Sequence, residues 1–210
     1  MTTLFTTQAM RAIFDDGARI QRMLDVERAL AEAEARAGVI PGDAARAIAA
    51  CCQAELYDHR ALAEAARNAG NLAIPLVSAL TRQVSARAGA AKGYVHWGAT
   101  SQDIIDTGLV LQLRDALGEI DRLVLRLDAA LTTQVDRHRL TVMPGRTWLQ
   151  QGLPTTLGLK LAGVLAALRR DRARLSALRS RLLVLQLGGA TGTLASLGAQ
   201  GPAVERALAD

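Results

Sequence analysis

Aromatic residues and cysteines are scarce in this sequence, and both shortages exclude classes of protein. Phe, Trp and Tyr make up 3% of the 210 residues, which leaves no platform for stacking nucleic-acid bases. The chain has 2 cysteines, and they are adjacent, at Cys51 and Cys52. Neighbouring cysteines suit neither an ordinary disulfide nor the ligand spacing of a metal site. We expect both to be small, buried, reduced side chains.

Long uncharged apolar segments are also lacking. No run reaches the roughly 20 residues that cross a bilayer as a helix. Residues 1–7 lack the charged start and the apolar centre of a signal peptide. We therefore expect a cytoplasmic protein with no membrane partner.

The net charge of +5 is compatible with two kinds of partner. A basic chain can bind nucleic acid electrostatically, but no base-reading motif accompanies the charge, and a positive surplus suits an anionic small substrate equally well. Arginine is densest between residues 169 and 181, within an apolar-periodic segment. We interpret this segment as a helix side that faces solvent or another subunit, and we expect no nucleic-acid partner.

Helical signals dominate the first third of the chain. A carboxylate at position 15 or 16 can cap a first helix that ends near Gly38, and Asp58 can cap a run that closes at Gly70. No alternating strand pattern or Asn-Gly hairpin signal occurs. The sequence therefore predicts an all-α fold that begins with a small N-terminal helical domain, residues 1–98.

Two long helices are predicted in the rest of the chain. Leucine and isoleucine recur mostly at three- or four-residue steps over residues 103 to about 137, and a second apolar run covers residues 155 or 156 to about 187. A compact link, 143–154, connects the two runs, so we expect long antiparallel helices of a bundle in a second domain, 99–210. Apolar positions surround more than one face of the second run, which indicates burial in an oligomer.

A turn at residues 96–106 combines a titratable ring, two hydroxyls, an amide and two carboxylates. Thr100 and Asp103 have the spacing of a capping box, in which Thr100 accepts from the third helical N–H and Asp103 reaches back. Free N–H groups and the positive end of the helix dipole gather at such a helix start. The turn can therefore hold a substrate carboxylate within reach of His96. Alternatively, Thr100 and Ser101 only cap the helix, and His96 is a satisfied, half-buried histidine.

The motif that starts at His96, His-x-Gly-x-Thr-Ser-x-Asp-Ile-x-Asp-Thr, resembles the first signature of the fumarase/aspartase superfamily, in the branch of adenylosuccinate lyases and 3-carboxy-cis,cis-muconate cycloisomerases. Trp148 follows a threonine where adenylosuccinate lyases usually have Thr-His, which favours the cycloisomerases. Segments that resemble the cycloisomerases in family order are 14–30, 71–77, 145–150 and 185–194. The family's third signature, a flexible Gly/Ser-rich loop, has no counterpart, so we expect a C-terminal part of the family's chain to be absent.

The resemblance implies an activity and an assembly. Cycloisomerases of this family lactonise 3-carboxy-cis,cis-muconate, a small tricarboxylate, to 4-carboxymuconolactone in the protocatechuate branch of the beta-ketoadipate pathway of aromatic degradation. The reaction belongs to the intramolecular lyases of the isomerase class and requires no metal or organic cofactor. The family's long helices form the central bundle of a homotetramer, in which each active site gathers residues from three subunits. The alternatives are an adenylosuccinate-type lyase of the same fold, and a non-catalytic helical or RNA-associated assembly.

The resemblance also assigns residues in the turn. His96 matches the signature histidine and takes an acid/base or electrostatic role, and the ordinary pKa of histidine suits proton transfer at neutral pH. The residues that match substrate-binding or orienting positions are Thr100, Ser101, Gln102, Asp103 and Asp106. The first three are assigned to the substrate, and the two carboxylates orient the turn by hydrogen bonds. A solvent-facing or capping role is an equal alternative for Asp106.

A second candidate region spans residues 146–151. The resemblance gives catalytic roles to Thr147 and Gln150, and substrate-binding roles to Arg146, Trp148 and Gln151. A guanidinium beside a hydroxyl and amides can hold a carboxylate in one orientation. Alternatively, Arg146 braces the loop, and Trp148 is either a wall of the site or a core residue.

Related cycloisomerases commonly carry a histidine, associated with proton donation, at the position of Gln151. Glutamine cannot donate a catalytic proton in this way. We therefore expect the proton to come from His96, or from a group in the absent C-terminal part such as the mobile-loop serine. Otherwise the chemistry of this chain differs from that of its relatives.

Overall fold

The computed structural model describes residues 4–210. Residues 1–3, which belong to the N-terminal segment considered above, lie outside the described part of the chain. Two compact units are present: the first contains the chain up to Asp115 together with Leu183–Asp210, and the second contains Ala116–Leu182.

Short and medium-length helices make up most of the first unit. The helices before the turn at His96 are α1 (Gln8–Ile13), α2 (Asp16–Arg36), α3 (Gly42–Ala49), α4 (His59–Ala69) and α5 (Ala73–Arg87). Short 3₁₀ helices follow α3 at Ala54–Leu56 and α5 at Gly89–Tyr94. Near the end of the chain, a 3₁₀ helix at Ala195–Gln200 leads into α8 (Gly201–Ala209).

The predicted capping residues set the bounds of two helices in the first unit. Asp15 begins α2 by accepting the N–H of Ala18 at 2.7 Å. Asp58 begins α4 in the same way, by accepting the N–H of Ala61 at 3.0 Å. Gly70 ends α4 in the left-handed conformation that glycine adopts without steric cost.

One apolar cluster holds α2, α3 and α5 together. Its largest fully buried side chains are Ile20, Met23, Leu24, Ile48, Leu76, Leu80, Val84 and Ile104. Full burial of each such side chain stabilises the fold by about 1.5–3 kcal/mol relative to exposure. Cys51 and Cys52 belong to the same cluster as free thiols, which confirms the prediction of two buried, reduced cysteines.

Two long helices, α6 (Ser101–Arg137) and α7 (Leu157–Leu182), follow the turn. The first begins slightly before its predicted start and ends where predicted. The second ends at Leu182, before the predicted end near residue 187.

Ion pairs between the two long helices define their direction. Within the second unit, Arg169 lies 2.6 Å from Asp128, and Arg172 lies 2.8 Å from Asp121. Residue numbers rise along one helix as they fall along the other, so α6 and α7 are antiparallel, as predicted.

A β-hairpin of the second unit joins these helices, and the prediction of a strand-free link was wrong here. Strands β1 (Val142–Thr147) and β2 (Gln150–Thr156) pair antiparallel. Two features concealed them. Pro144 lies within β1 and precedes a shift in register, and prolines interrupt the usual pattern of strand-forming residues. The turn consists of Trp148 and Leu149, both with positive φ, instead of the Asn-Gly pair that such turns favour.

The fold class is nevertheless the predicted one, because all regular elements of residues 4–210 other than the hairpin are helical. Among the described helices, none combines the length and the apolar character that a membrane span needs. The domain division predicted from the sequence, 1–98 and 99–210, stays a prediction.

Candidate active site

Hydrogen bonds connect the turn at His96 to two distant parts of the first unit. His96 bonds to a side chain of α2. Asp103, in the first turn of α6, bonds to the segment 186–189 that follows α7 in the chain. Three stretches that are far apart in the sequence therefore meet around the turn.

The imidazole of His96 is paired with a buried carboxylate. Its Nδ1 lies 2.6 Å from Oε1 of Glu27 on α2, and Glu27 is 1% exposed. Burial alone would lower the pKa of His96, but the hydrogen bond and the charge of Glu27, together with the charge of Asp103, outweigh it and raise that pKa. His96 is therefore protonated over more of the neutral pH range than an isolated histidine.

Asp103 holds three backbone N–H groups with one buried carboxylate. Its Oδ2 accepts from Thr100 at 2.9 Å and from Gly189 at 2.9 Å, and its Oδ1 accepts from Gly188 at 2.9 Å. Charge-assisted hydrogen bonds of this kind are about twice as strong as neutral ones. These contacts place Asp103 in an orienting position, between the turn and the segment 186–189.

The segment after α7 also fits closely against the turn. Gln186 exchanges two hydrogen bonds with the hydroxyl of Thr107, at 2.9 and 3.1 Å. A Cβ on Gly189, whose φ is +70°, would lie 2.8 Å from the carbonyl oxygen of Gly98. Gly98 in turn has a φ of +72°, and a Cβ there would lie 2.7 Å from Leu197. Both φ values favour glycine, and at Gly189 a side chain would also meet rigid backbone.

Of the two reciprocal hydrogen bonds of the predicted capping box, one is present. The N–H of Thr100 donates to the Asp103 carboxylate, but the N–H of Asp103 donates to the backbone oxygen of Thr100 at 3.0 Å instead of to its hydroxyl. Neither the Thr100 nor the Ser101 hydroxyl makes a hydrogen bond within residues 4–210. Both hydroxyls at the N-terminus of α6 are thus available to an anion, which the helix dipole also favours.

Gln102 and Asp106 bond to each other on the next turn of α6. Nε2 of Gln102 donates to Oδ1 of Asp106 at 2.6 Å. Gln102 is exposed, and Asp106 is partly buried. The carboxylate of Asp106 therefore holds an amide in place beside Ser101.

The second candidate region is the tip of the hairpin in the second unit. Its predicted site residues are all exposed: Arg146, Thr147, Trp148, Gln150 and Gln151. Trp148 is 93% exposed, so it is not a core residue of this chain. No side chain of this set makes a hydrogen bond within the described residues. Their polar groups are free to contact a ligand, and they belong to a different unit from His96.

A cavity of about 520 Å³ lies elsewhere in the second unit, and it is lined by three arginines and two aspartates. Arg169 and Arg172 line it, but each is paired with a carboxylate of α6. Arg179, the third arginine of the lining, forms no ion pair within residues 4–210. Among the described residues, no group of three or more His, Cys, Asp and Glu side chains is placed to hold a metal ion.

Sequence reasoning did not single out Glu27 as a site residue, although a signal was present. Glu27 lies three residues from both Leu24 and Leu30, in phase with the buried stripe of α2. A carboxylate in such a stripe costs free energy unless it has a partner. For Glu27 this partner is His96, whereas Glu34 of the same helix has no hydrogen-bond partner within residues 4–210.

Comparisons with known proteins agree with the signature. The sequence pattern of the Lyase family matches residues 2–210. The 3-carboxy-cis,cis-muconate cycloisomerase of Pseudomonas aeruginosa is 58% identical over 206 residues, which cover 98% of this chain and 45% of that protein. The N-acetyl-S-(2-succino)cysteine lyase of Dickeya dadantii is 41% identical over 96% of this chain and 44% of its own length.

A solved structure gives the same result. The crystal structure of 3-carboxy-cis,cis-muconate lactonizing enzyme from Pseudomonas putida matches with a TM-score of 0.96 at 57% identity, over 98% of this chain and 46% of that chain. The chain thus spans about half the length of the relatives that it matches, and these relatives do not favour the adenylosuccinate-type alternative. Since the family pattern covers nearly the whole sequence, the chain belongs to the lyase family, the fumarase/aspartase superfamily that the signature at His96 predicts.

Proposed function

We propose that the protein formed by this chain is an isomerase that lactonises 3-carboxy-cis,cis-muconate to 4-carboxymuconolactone in aromatic degradation. The observation that carries the proposal is the arrangement at the start of α6. There the hydroxyls of Thr100 and Ser101, which make no hydrogen bond within residues 4–210, follow the turn that carries His96, an imidazole held on one side by a carboxylate. Such a site suits the binding of an anion and the transfer of a proton. The 58% identity to a relative of that name supports the choice of substrate.

For the lactonisation, the protein must bind the substrate and supply one proton. One substrate carboxylate forms a C–O bond to a carbon of a double bond, and the electron pair of that bond moves towards the conjugated carboxylate. The neighbouring carbon then takes a proton. The protein must hold the anion, stabilise the enolate-like charge and supply a general acid.

Residues of the turn supply these functions in the proposal. His96, as imidazolium, gives its Nε2 proton to the carbon or stabilises the developing charge. Thr100, Ser101 and Gln102 bind a substrate carboxylate at the helix N-terminus, while Asp103 and Asp106 keep the turn in place. No metal or organic cofactor takes part.

The hairpin supplies the second group of contacts. In the proposal Thr147 and Gln150 contact the reacting part of the substrate, and Arg146 binds or orients a carboxylate. Trp148 and Gln151 line the site. Their exposure and their lack of hydrogen bonds within residues 4–210 support a role in contacting something outside this chain's own core.

The proposed assembly is a homotetramer in the cytoplasm, with active sites shared between subunits. Lyases of this superfamily are typically oligomeric. Large apolar side chains that are exposed on α7 and at the hairpin support burial against other copies, and they include Leu149, Leu153, Leu159 and Val164. In such an assembly a hairpin can serve the turn of another subunit.

A chimera tests the function despite the difference in length from the relatives. In the chimera, this chain replaces the matching N-terminal segment of the Pseudomonas aeruginosa enzyme. The purified chimera is then mixed with 3-carboxy-cis,cis-muconate. We expect the conjugated-diene absorbance to fall at a rate close to that of the parent enzyme. The matched variant His96→Ala should lose at least about a hundredfold in kcat, the lower range for a positioned acid or base. A folded chimera that leaves the diene intact, beside an active parent, overturns the proposal.

Two control substrates separate the alternatives. N-acetyl-S-(2-succino)cysteine tests the activity of the 41% identical relative, and adenylosuccinate tests the other branch of the superfamily. Selective conversion of either one, without loss of the muconate diene, would replace the proposed substrate within the same fold. Salt-sensitive RNA binding by an inactive protein would instead favour the non-catalytic assembly.

A further inference from the structure

We propose that Glu27 is a positioning residue for the reaction: it holds Nδ1–H of His96 and so directs Nε2 towards the substrate. The proposal rests on the function proposed above, because it names what keeps the acid/base group of that site in place. Glu27 acts through His96 and has no contact of its own with the substrate.

Geometry is the first support. Oε1 of Glu27 lies 2.6 Å from Nδ1 of His96, and the two residues are 69 positions apart in the sequence. Glu27 is 1% exposed, so water does not compete for this hydrogen bond. Nε2 of His96 makes no hydrogen bond within residues 4–210 and is not among the buried unpartnered atoms. One ring nitrogen is thus fixed, and the other is accessible.

The backbone of His96 supports the same conclusion. Its φ is +58°, in the left-handed region that residues other than glycine rarely adopt. Such a conformation costs free energy and persists only where surrounding contacts impose it. The hydrogen bond to Glu27 and the close fit of Gly98 against Leu197 are contacts of this kind.

A contribution to stability does not explain why the buried position 27 carries a carboxylate. The second oxygen of Glu27, Oε2, is buried and has no hydrogen-bond partner among the described residues. A buried oxygen left unpaired in this way costs free energy, and buried ion pairs are often no more stable than apolar residues of the same volume. A carboxylate on the buried stripe of α2 is therefore better explained by what it does to His96.

The hydrogen bond to Glu27 also determines which nitrogen of the His96 ring keeps its proton. A carboxylate at Nδ1 keeps a proton on that nitrogen in both charge states, so the mobile proton is the one on Nε2. When imidazolium gives this proton to the substrate carbon, the neutral ring keeps Nδ1–H and stays bonded to Glu27. The groups that favour the imidazolium are Glu27 on α2 and Asp103 on α6, against the opposing effect of burial.

The test compares two buried glutamates of the same helix in the chimera. Glu27→Gln keeps the shape and removes the charge, and Glu27→Asp keeps the charge on a shorter side chain. Glu34→Gln is the matched control, because Glu34 is 0% exposed on α2 but makes no hydrogen bond to His96. Circular dichroism and the unfolding midpoint report on folding in each variant.

Two readouts follow the ring and the reaction separately. Hydrogen–deuterium exchange at Cε1 of His96, measured against pH by mass spectrometry, gives the protonation midpoint of this one ring and needs no turnover. Steady-state kinetics give kcat and KM. We expect Glu27→Gln to move the midpoint to lower pH and to reduce kcat at least about tenfold, with KM changed by less than about threefold. Glu27→Asp should recover part of both, and Glu34→Gln should match the wild type in the His96 midpoint and in kcat.

Two outcomes would contradict the positioning role of Glu27. An unchanged His96 midpoint in Glu27→Gln, or a kcat within about twofold of the wild type, overturns the positioning role. Equal losses in Glu27→Gln and Glu34→Gln, in proportion to lost stability, would show a purely structural role. If the wild-type chimera converts no substrate, the proposed function fails, while the exchange midpoints still decide whether Glu27 controls the protonation of His96.

Discussion

Asp103 accepts the backbone N–H of Gly189 at 2.9 Å, across 86 positions of sequence. This contact ties the first turn of α6 to the segment after α7. On its other side, Gly189 lies so close to the carbonyl oxygen of Gly98 that a side chain would not fit. The position of the segment 186–189 against the turn at His96 thus depends on a charge and on the lack of a side chain.

Asp103→Asn should destabilise the first unit. An asparagine has one acceptor oxygen and turns an NH₂ group towards N–H donors, whereas the carboxylate accepts three N–H groups. Leaving buried donors unpaired costs about 1–3 kcal/mol each, so we expect the free energy of unfolding in urea to fall by about 2–4 kcal/mol.

The control for this variant lies one turn further along the same helix. Asp106→Asn removes a charge whose one side-chain hydrogen bond within residues 4–210 is to Gln102, and it should change stability by less than about 0.5 kcal/mol. Equal effects of the two substitutions would mean that Asp103 does not hold the segment 186–189.

A pair of glycines tests the close approach of the same segment. Gly189 and Gly192 have φ values of +70° and +77°, but a Cβ on Gly189 would lie 2.8 Å from a backbone oxygen, whereas a Cβ on Gly192 would have no atom of the described residues within 4 Å. Both alanine variants bear the cost of the left-handed conformation, about 1–2 kcal/mol. Gly189→Ala should cost a further ~1–3 kcal/mol through the clash.

Urea unfolding of the two glycine variants measures the difference. In the chimera, Gly189→Ala should also reduce the turnover of 3-carboxy-cis,cis-muconate more than Gly192→Ala, because the clash moves the turn at His96. Indistinguishable variants would show that the segment moves away from Gly98 without cost.

Local signals were sufficient for much of the fold. The capping carboxylates Asp15 and Asp58 and the left-handed Gly70 act within one or two turns of their own helix, so the sequence shows them directly. The long α6 follows from its period alone. These elements were predicted because their causes lie close together in the chain.

The hairpin and the partner of His96 depend on tertiary structure, and the sequence did not reveal them. Trp148 and Leu149 form a turn for which neither has a local preference. Glu27 becomes a site residue only when α2 meets the turn, 69 positions later in the sequence. Local pattern therefore located the signature at His96, while the groups that hold its imidazole became visible in the structure.

The stability of the chain should depend on pH through Glu34. Its carboxyl is 0% exposed and has no hydrogen-bond partner among residues 4–210. Burial, together with the charge of Glu27, raises its pKa from 4.5 to about 8. Between these values the folded chain holds a proton that the unfolded chain has lost, so stability falls as pH rises, by up to roughly 1.4 kcal/mol per pH unit.

Glu34→Gln should remove this dependence, because a glutamine stays neutral. We expect the variant and the wild type to have similar unfolding free energies near pH 5, and the variant to be more stable at pH 8 by roughly 2–4 kcal/mol. His96 contributes a decrease of the same sign in both proteins, since its raised pKa favours the folded state below that pKa. The exposed Glu64→Gln is the control and should keep the wild-type slope; parallel curves for Glu34→Gln would show that Glu34 is ionised in the folded chain.

The turn of the hairpin should be more stable with ordinary turn residues. Trp148 and Leu149 have φ values of +46° and +63°, and each left-handed residue other than glycine costs about 1–3 kcal/mol. Their side chains are 93% and 109% exposed, so they recover little by packing within this chain. The double variant Trp148→Asn/Leu149→Gly should therefore slow amide hydrogen exchange in β1 and β2, by a factor that corresponds to about 1 kcal/mol or more.

The same double variant tests whether the strained turn serves activity. In the chimera, the stabilised turn should lower kcat/KM for 3-carboxy-cis,cis-muconate, because the variant removes Trp148 from the proposed wall of the site. Leu153→Asn is the control: it replaces an 87% exposed leucine of β2 without changing the turn, and exchange in the hairpin should not slow. A double variant with unchanged exchange would mean that the turn bears no strain, and one with unchanged kcat/KM would mean that Trp148 does not contact the substrate. A slower exchange together with a lower kcat/KM would show that this turn gives up stability for function.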